Sequence, residues 1–177
     1  MQLRFEPSEI QALSDAYLAR LNDRNRRLTD AIVDRVFPRY LDQGYLTKPD
    51  FLMVCDWKTP RTKSRCAEND ESYIREISSL ALTTASEQLR IEIWTLLFGI
   101  NWPTASVFLH FAMPDRYPIL DFRAIWSLSS TVPKQYSFDY WKRYSAFCLA
   151  IATENDVSMR TLDQSLWEYS KRNQGCS

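Results

Sequence analysis

The stretch LFGINWPTASVFLHFAMPDRYPILDFRAIW, residues 97–126, decides how the chain is read. Glycine and asparagine most readily take the left-handed backbone conformation, so Gly99 and Asn101 predict a tight turn between the end of one helix and a new one with Pro103 in its first turn. PDRYP (114–118) then predicts a proline-bounded loop, and Asp121 the start of a further helix. Such a turn aims main-chain N–H groups and a helix N-terminus outward, an arrangement that suits a phosphate. Asp121 stands between Ile119–Leu120 and an apolar run of Phe122, Ala124, Ile125 and Trp126. An ionised carboxylate is costly in such company unless it is paired, caps a helix or does chemistry. Aspartate is a favoured N-cap, contributing about 1 kcal/mol, and capping is compatible with chemistry because it holds and aims the carboxylate.

These residues resemble the helix-hairpin-helix DNA glycosylase superfamily. The family's hairpin, L-P-G-V-G followed by two variable residues and T-A, is similar to Leu97-Phe98-Gly99-Ile100-Asn101, Trp102-Pro103 and Thr104-Ala105. Asp121 falls where the family places its essential aspartate, eighteen positions beyond Pro103. The departures are Phe98 for the usual proline and Asn101 for the second glycine. Pro103 occupies the place of the lysine that attacks the sugar in bifunctional members, so lyase chemistry is not implied. The four-cysteine iron–sulfur motif of one branch is also missing, since only Cys148 and Cys176 follow the aspartate.

The resemblance implies an all-α fold, a helix-hairpin-helix DNA glycosylase-like bundle in a single domain over residues 1–177, with the hairpin at about 86–112 and the catalytic aspartate beginning a helix at 121–128. It implies a monofunctional glycosylase with Asp121 as the catalytic carboxylate. Gly99, Ile100, Asn101, Trp102 and Thr104 would meet the DNA backbone. The chemistry would use no metal or organic cofactor; a monovalent cation at the hairpin follows from the family alone. Double-stranded DNA is the expected partner, of a monomer in the cytoplasm and on the nucleoid. The competing class is a non-enzymatic DNA-binding module in which Asp121 only caps its helix.

The rest of the chain agrees with a helical reading. At 177 residues and 45% hydrophobic content it suits one domain, or two small lobes sharing a core. Its three glycines leave little material for hairpins of strand or a glycine-rich phosphate loop, which argues against Rossmann and P-loop folds. Four cysteines without a CxxC pair, and one histidine, give neither zinc-site spacing nor a disulfide framework, and read as reduced structural thiols. No run approaches eighteen uncharged apolar residues, and the first residues lack a basic segment followed by an apolar one, predicting an intracellular protein without membrane spans.

Charge balances at 22 against 22, so local clusters matter more than the sum. RNRR (24–27), the group Lys58, Arg61, Lys63 and Arg65, and the pairs Lys142–Arg143 and Lys171–Arg172 are each read as a solvated face or a phosphate contact. Trp57, Lys58 and Arg61 combine a stacking surface with phosphate-seeking charge, so they are candidates for the base pocket or backbone, against a core tryptophan beside solvated charges. Arg123 would pair with Asp121, reach a phosphate or lie on the surface. Tyr117 and Trp126 are assigned to the core, and His110 to a structural or exposed position.

Periodicity predicts helices over about 8–22 (capping box Ser8–Gln11), 28–43 (broken at Pro38, stopped at Gly44), 47–57 (cap Thr47), and from Asn69 or Asp70 with Tyr73, Ile77, Leu80 and Ala81 buried. Another begins at Ser86 and buries Leu89, Ile93, Leu96 and Leu97; two more run over about 137–153 and 158–172. In the last, Leu162, Leu166 and Tyr169 form the apolar stripe, with Arg160 and Asp163 as a local ion pair. Residues 58–70 are polar and lack an apolar period, and read as a surface loop.

Overall fold

In the computed structural model, which describes residues 1–175, helix dominates and no strand occurs among the described residues. Cys176 lies outside them. A 3₁₀ turn at Pro7–Glu9 leads into α1 (Ile10–Arg20). Then follow α2 (Asp23–Ala31), a π turn (Ile32–Val36), α3 (Phe37–Gln43) and α4 (Lys48–Lys58). A 3₁₀ turn (Pro60–Thr62) precedes α5 (Lys63–Cys66) and α6 (Glu71–Thr83). The hairpin comprises α7 (Glu87–Glu92), a 3₁₀ turn (Ile93–Leu96) and α8 (Trp102–Ala112). The chain ends with α9 (Phe122–Ser127), α10 (Phe138–Glu154) and α11 (Met159–Asn173). No helix among the described residues is long and apolar enough to cross a membrane.

Contacts divide the chain into two compact units, named by their place along the sequence: an inner one, residues 22–113, and an outer one, residues 1–21 with the described residues from 114 on. In the inner unit, Phe108 of α8 stacks on Trp94 at 4.3 Å and on Phe51 at 5.5 Å, forming an aromatic core. Several buried polar groups there are paired, as burial favours, although the Trp94 indole N–H makes no hydrogen bond among the described residues. Tyr40 donates to the Ser78 carbonyl (2.7 Å), Ser78 Oγ accepts the Leu46 N–H (2.9 Å), and the Arg90 guanidinium caps the end of α6 on the carbonyls of Ala81, Leu82 and Thr84. In the outer unit α1 and α9 both pack on α11. Ser14 donates to Gln164 (2.7 Å), and the fully buried Glu168 carboxylate lies between Arg20 and Arg172, each at 2.7 Å. Burial alone would raise the Glu168 pKa; the two guanidinium partners outweigh it and lower it.

Local chemistry explains the helix ends. Thr47, Ser86, Ser137 and Ser158 each accept a main-chain N–H in the first turn they cap, and Gly44 ends α3 at φ +82°. The expected break at Pro38 is instead a π turn: Phe37 donates five residues back to Ile32, so the helix widens where proline has no N–H to give. The capping box at the N-terminus is Glu6 with Glu9, not Ser8 with Gln11.

Several buried faces differ from those expected. Leu41, Tyr73, Leu80, Leu89 and Leu96 are exposed; Ile74, Ile77, Ser78 and Ala81 face inward on α6, and Arg90, Ile91 and Trp94 in the hairpin's first arm. Tightening into the 3₁₀ turn changes the angular step per residue and rotates Leu96 outward. The segment 58–70 is not a plain loop, because it folds into two short helical turns and buries Cys66 and Asn69.

Candidate functional site

The hairpin is built on buried anchors. Trp94 and Leu97 hold its first arm in the inner unit, Ile100 donates back to the Leu97 carbonyl (3.1 Å), and Gly99 turns the chain at φ +84°. A Cβ on Gly99 would lie 2.9 Å from Cys66 Sγ, so both conformation and space require glycine here. Asn101 is not left-handed as its residue type suggested: it is extended (φ −120°, ψ 175°) and caps α8. Its Oδ1 accepts the Thr104 N–H at 3.1 Å and the Thr104 hydroxyl at 3.0 Å. The loss of a second glycine therefore leaves the turn unstrained, since any residue adopts an extended conformation.

Of the residues expected to meet DNA, Gly99, Asn101 and Trp102 carry N–H groups with no protein acceptor among the described residues. With the N-terminus of α8 they form a concentrated set of main-chain donors. Ile100 and Thr104 are buried, and their N–H groups serve Leu97 and Asn101 within the turn.

The basic segment packs on the same turn. Asn69, 6% exposed, donates to the Phe98 carbonyl (2.9 Å) and the Cys66 carbonyl (2.9 Å) and accepts the Phe98 N–H (2.7 Å), pairing with Phe98 as a neighbouring strand would. Arg65 lies over the half-exposed Phe98 ring at 5.1 Å. Arg61 is exposed on the 3₁₀ turn, and Lys58 ends α4. Lys63 is drawn with Arg24 to Asp56 (3.2 and 2.8 Å); burial acts to raise the Asp56 pKa, but these cations win and lower it. Trp57 is half-buried, its indole N–H donating to Thr29 Oγ1 (2.9 Å) and its ring meeting Phe111 edge-on. Beneath lie two buried thiols: hydrogen bonds from Cys55 and Thr62 lower Cys66 to about 7 against its burial, while the same thiol contact and burial push Cys55 up. A separate groove of about 440 Å³ beside the π turn, lined by Arg35, Arg39, Asp50 and Met53, includes none of the residues singled out by sequence.

Asp121 belongs to the outer unit. It is half-buried and extended (φ −142°, ψ 142°), and its Oδ1 accepts the Arg123 N–H at 2.9 Å, capping α9. The approach to it is a buried segment without regular secondary structure, Tyr117–Leu120. Arg123 lies over the rings of Phe122 (5.0 Å) and Trp167 (5.4 Å). Burial first, then Tyr140 and the Asp121 charge, raise the Tyr136 phenol, and burial raises Tyr144 far more. Tyr117 is buried; Trp126 is half-buried under the Arg4 guanidinium; His110 is buried edge-on to Phe111. Arg160 lies over Tyr17, and Asp163 accepts the Ile119 N–H.

Sequence reading misses Asn69 as an organiser of the hairpin turn, and Tyr144 and Asp163 as organisers of the segment before Asp121. Asn69 reads as a helix cap and Asp163 as half of a local ion pair, whereas Asn69 meets Phe98 across 29 positions and Asp163 meets Ile119 across 44, beyond the reach of any local pattern. No family model, curated protein or solved structure matches the chain.

Proposed function

We propose that this protein is a monofunctional DNA glycosylase acting on double-stranded DNA, with Asp121 as its catalytic carboxylate. The observation that supports this most is Asp121 itself, a half-buried aspartate whose Oδ1 caps a helix N-terminus and which follows, in sequence, a turn that presents bare main-chain donors. The hairpin N–H groups would bind a backbone phosphate, with Arg61 and Arg65 adding charge.

The target nucleotide is extruded from the duplex. As the C1′–N bond breaks, its electron pair leaves with the base, and positive charge grows on C1′ and O4′. Asp121 opposes that charge, and water attacks C1′ with its proton passing to the carboxylate. Pro103 offers no amine to the sugar, so the product is an abasic site with an intact backbone. A monovalent cation at the hairpin would be held by turn carbonyls, of which Leu97 and Phe98 each already accept one protein hydrogen bond; no step depends on it.

The test is to incubate wild-type and Asp121→Asn protein with a panel of genomic DNAs, including phage DNA with modified cytosines, and count abasic sites. Wild-type protein should generate them, and the substitution should slow their formation by about 10²-fold or more. The DNA attacked would separate repair of damaged bases from defence against modified foreign DNA. DNA bound by both proteins without abasic sites would favour the binding-module reading, in which Asp121 is only a cap.

A further inference from the structure

We infer that Tyr144 and Asp163 are positioning residues that set the Asp121 carboxylate by clamping the main chain of Ile119. This rests on the reading of Asp121 as the catalytic group. Ile119 is buried in the irregular segment that leads into the aspartate, two residues before it. A buried residue outside helix and strand needs partners for both its N–H and its carbonyl, since no regular ladder supplies them. Here side chains from two different helices supply them. Asp163 Oδ2 on α11 accepts the Ile119 N–H at 2.9 Å, and the Tyr144 hydroxyl on α10 donates to the Ile119 carbonyl at 2.8 Å.

Both clamping side chains are buried, Tyr144 completely and Asp163 to 6% exposure, so water does not compete for either bond. Burying a carboxylate against the main chain is an expensive way to fix a segment that merely fills space. Pro118 adds stiffness: its ring fixes its own φ and restricts Tyr117 to extended conformations. From Pro118 to the Asp121 cap the chain is therefore held at Ile119 from two sides and again at Asp121 Oδ1 by the Arg123 N–H. Slack in this tether would move the carboxylate, and displacements of about 1 Å cost catalytic groups on the order of 10²-fold.

A base-independent probe tests this directly. Two duplexes are compared, one with a cationic pyrrolidine in place of the target sugar, resembling the charged transition state, and one with a neutral tetrahydrofuran abasic analogue. The ratio of affinities reads the carboxylate at C1′, whereas the tetrahydrofuran duplex alone reads the remaining contacts. Wild type should prefer the pyrrolidine by about tenfold or more, and Asp121→Asn should lose the preference. Tyr144→Phe and Asp163→Leu should each reduce it about three- to tenfold with tetrahydrofuran affinity unchanged, and Asp163→Asn, which keeps an acceptor oxygen, should restore most of it. Full preference in folded Tyr144→Phe, which removes a single hydroxyl, overturns the inference, as does equal weakening toward both duplexes. A wild type without preference overturns the role of Asp121 and this inference with it.

Discussion

Gly99 and Gly44 share a positive φ but not an environment. A Cβ on Gly44 would meet nothing within 4 Å, whereas on Gly99 it would strike Cys66 Sγ at 2.9 Å. Gly44→Ala should therefore cost only the left-handed penalty, about 1–2 kcal/mol, and Gly99→Ala measurably more, in denaturant unfolding. Equal costs would mean that the Cys66 contact yields freely. Glu168 makes a second residue-scale prediction. Its folded pKa is depressed, so its contribution is present above the unfolded value of about 4.3 and is lost as pH falls through the folded value. Glu168→Gln should flatten the decline of the melting temperature below about pH 4.3 and lower stability near neutrality. Neither Gly99's neighbour nor the Arg20–Glu168–Arg172 triad was legible in the sequence, because Cys66 and Arg20 reach their partners across 33 and 148 positions.

At the scale of the element, the readable features were those whose cause is local. Caps at Thr47, Ser86, Asp121, Ser137 and Ser158 follow from a side chain and an N–H two or three residues on. Buried faces follow from what packs opposite, which is why Tyr73 and Leu80 were placed inside and Ile74 was passed over. Asn101 shows the two kinds of information in conflict. Its residue type suggested a stand-in for glycine, yet its structural work is to cap α8. Asn101→Ala should cost about 1 kcal/mol and Asn101→Gly only a few tenths. An Asn101→Gly variant more stable than wild type in thermal unfolding would show that a left-handed turn is preferred after all.

For the whole molecule, a balanced formal charge puts the weight of any DNA binding on where cations stand rather than on their number. If the exposed Arg61 meets a phosphate, Arg61→Ala should weaken duplex binding uniformly across sequences and reduce the slope of log K against log salt by about one; an unchanged slope would remove it from the interface. The all-helical class was legible throughout, from scarce glycine and repeated capping patterns. Which segments make up each unit was not, because α1 shows no sign in its own sequence that its partner is α11.

That pairing bears on how the chain is made. Ser14 meets Gln164 across 150 positions, while residues 22–113 find their partners within one continuous stretch. Synthesis proceeds from the N-terminus, so the inner stretch leaves the ribosome with its complement in hand, whereas α1 emerges first and waits longest. Its buried face, Ile10 and Leu13, stays without its final cover until nearly the whole chain has been translated. A nascent chain stalled before α11 should then resist protease across the inner stretch and be cut within the first twenty residues.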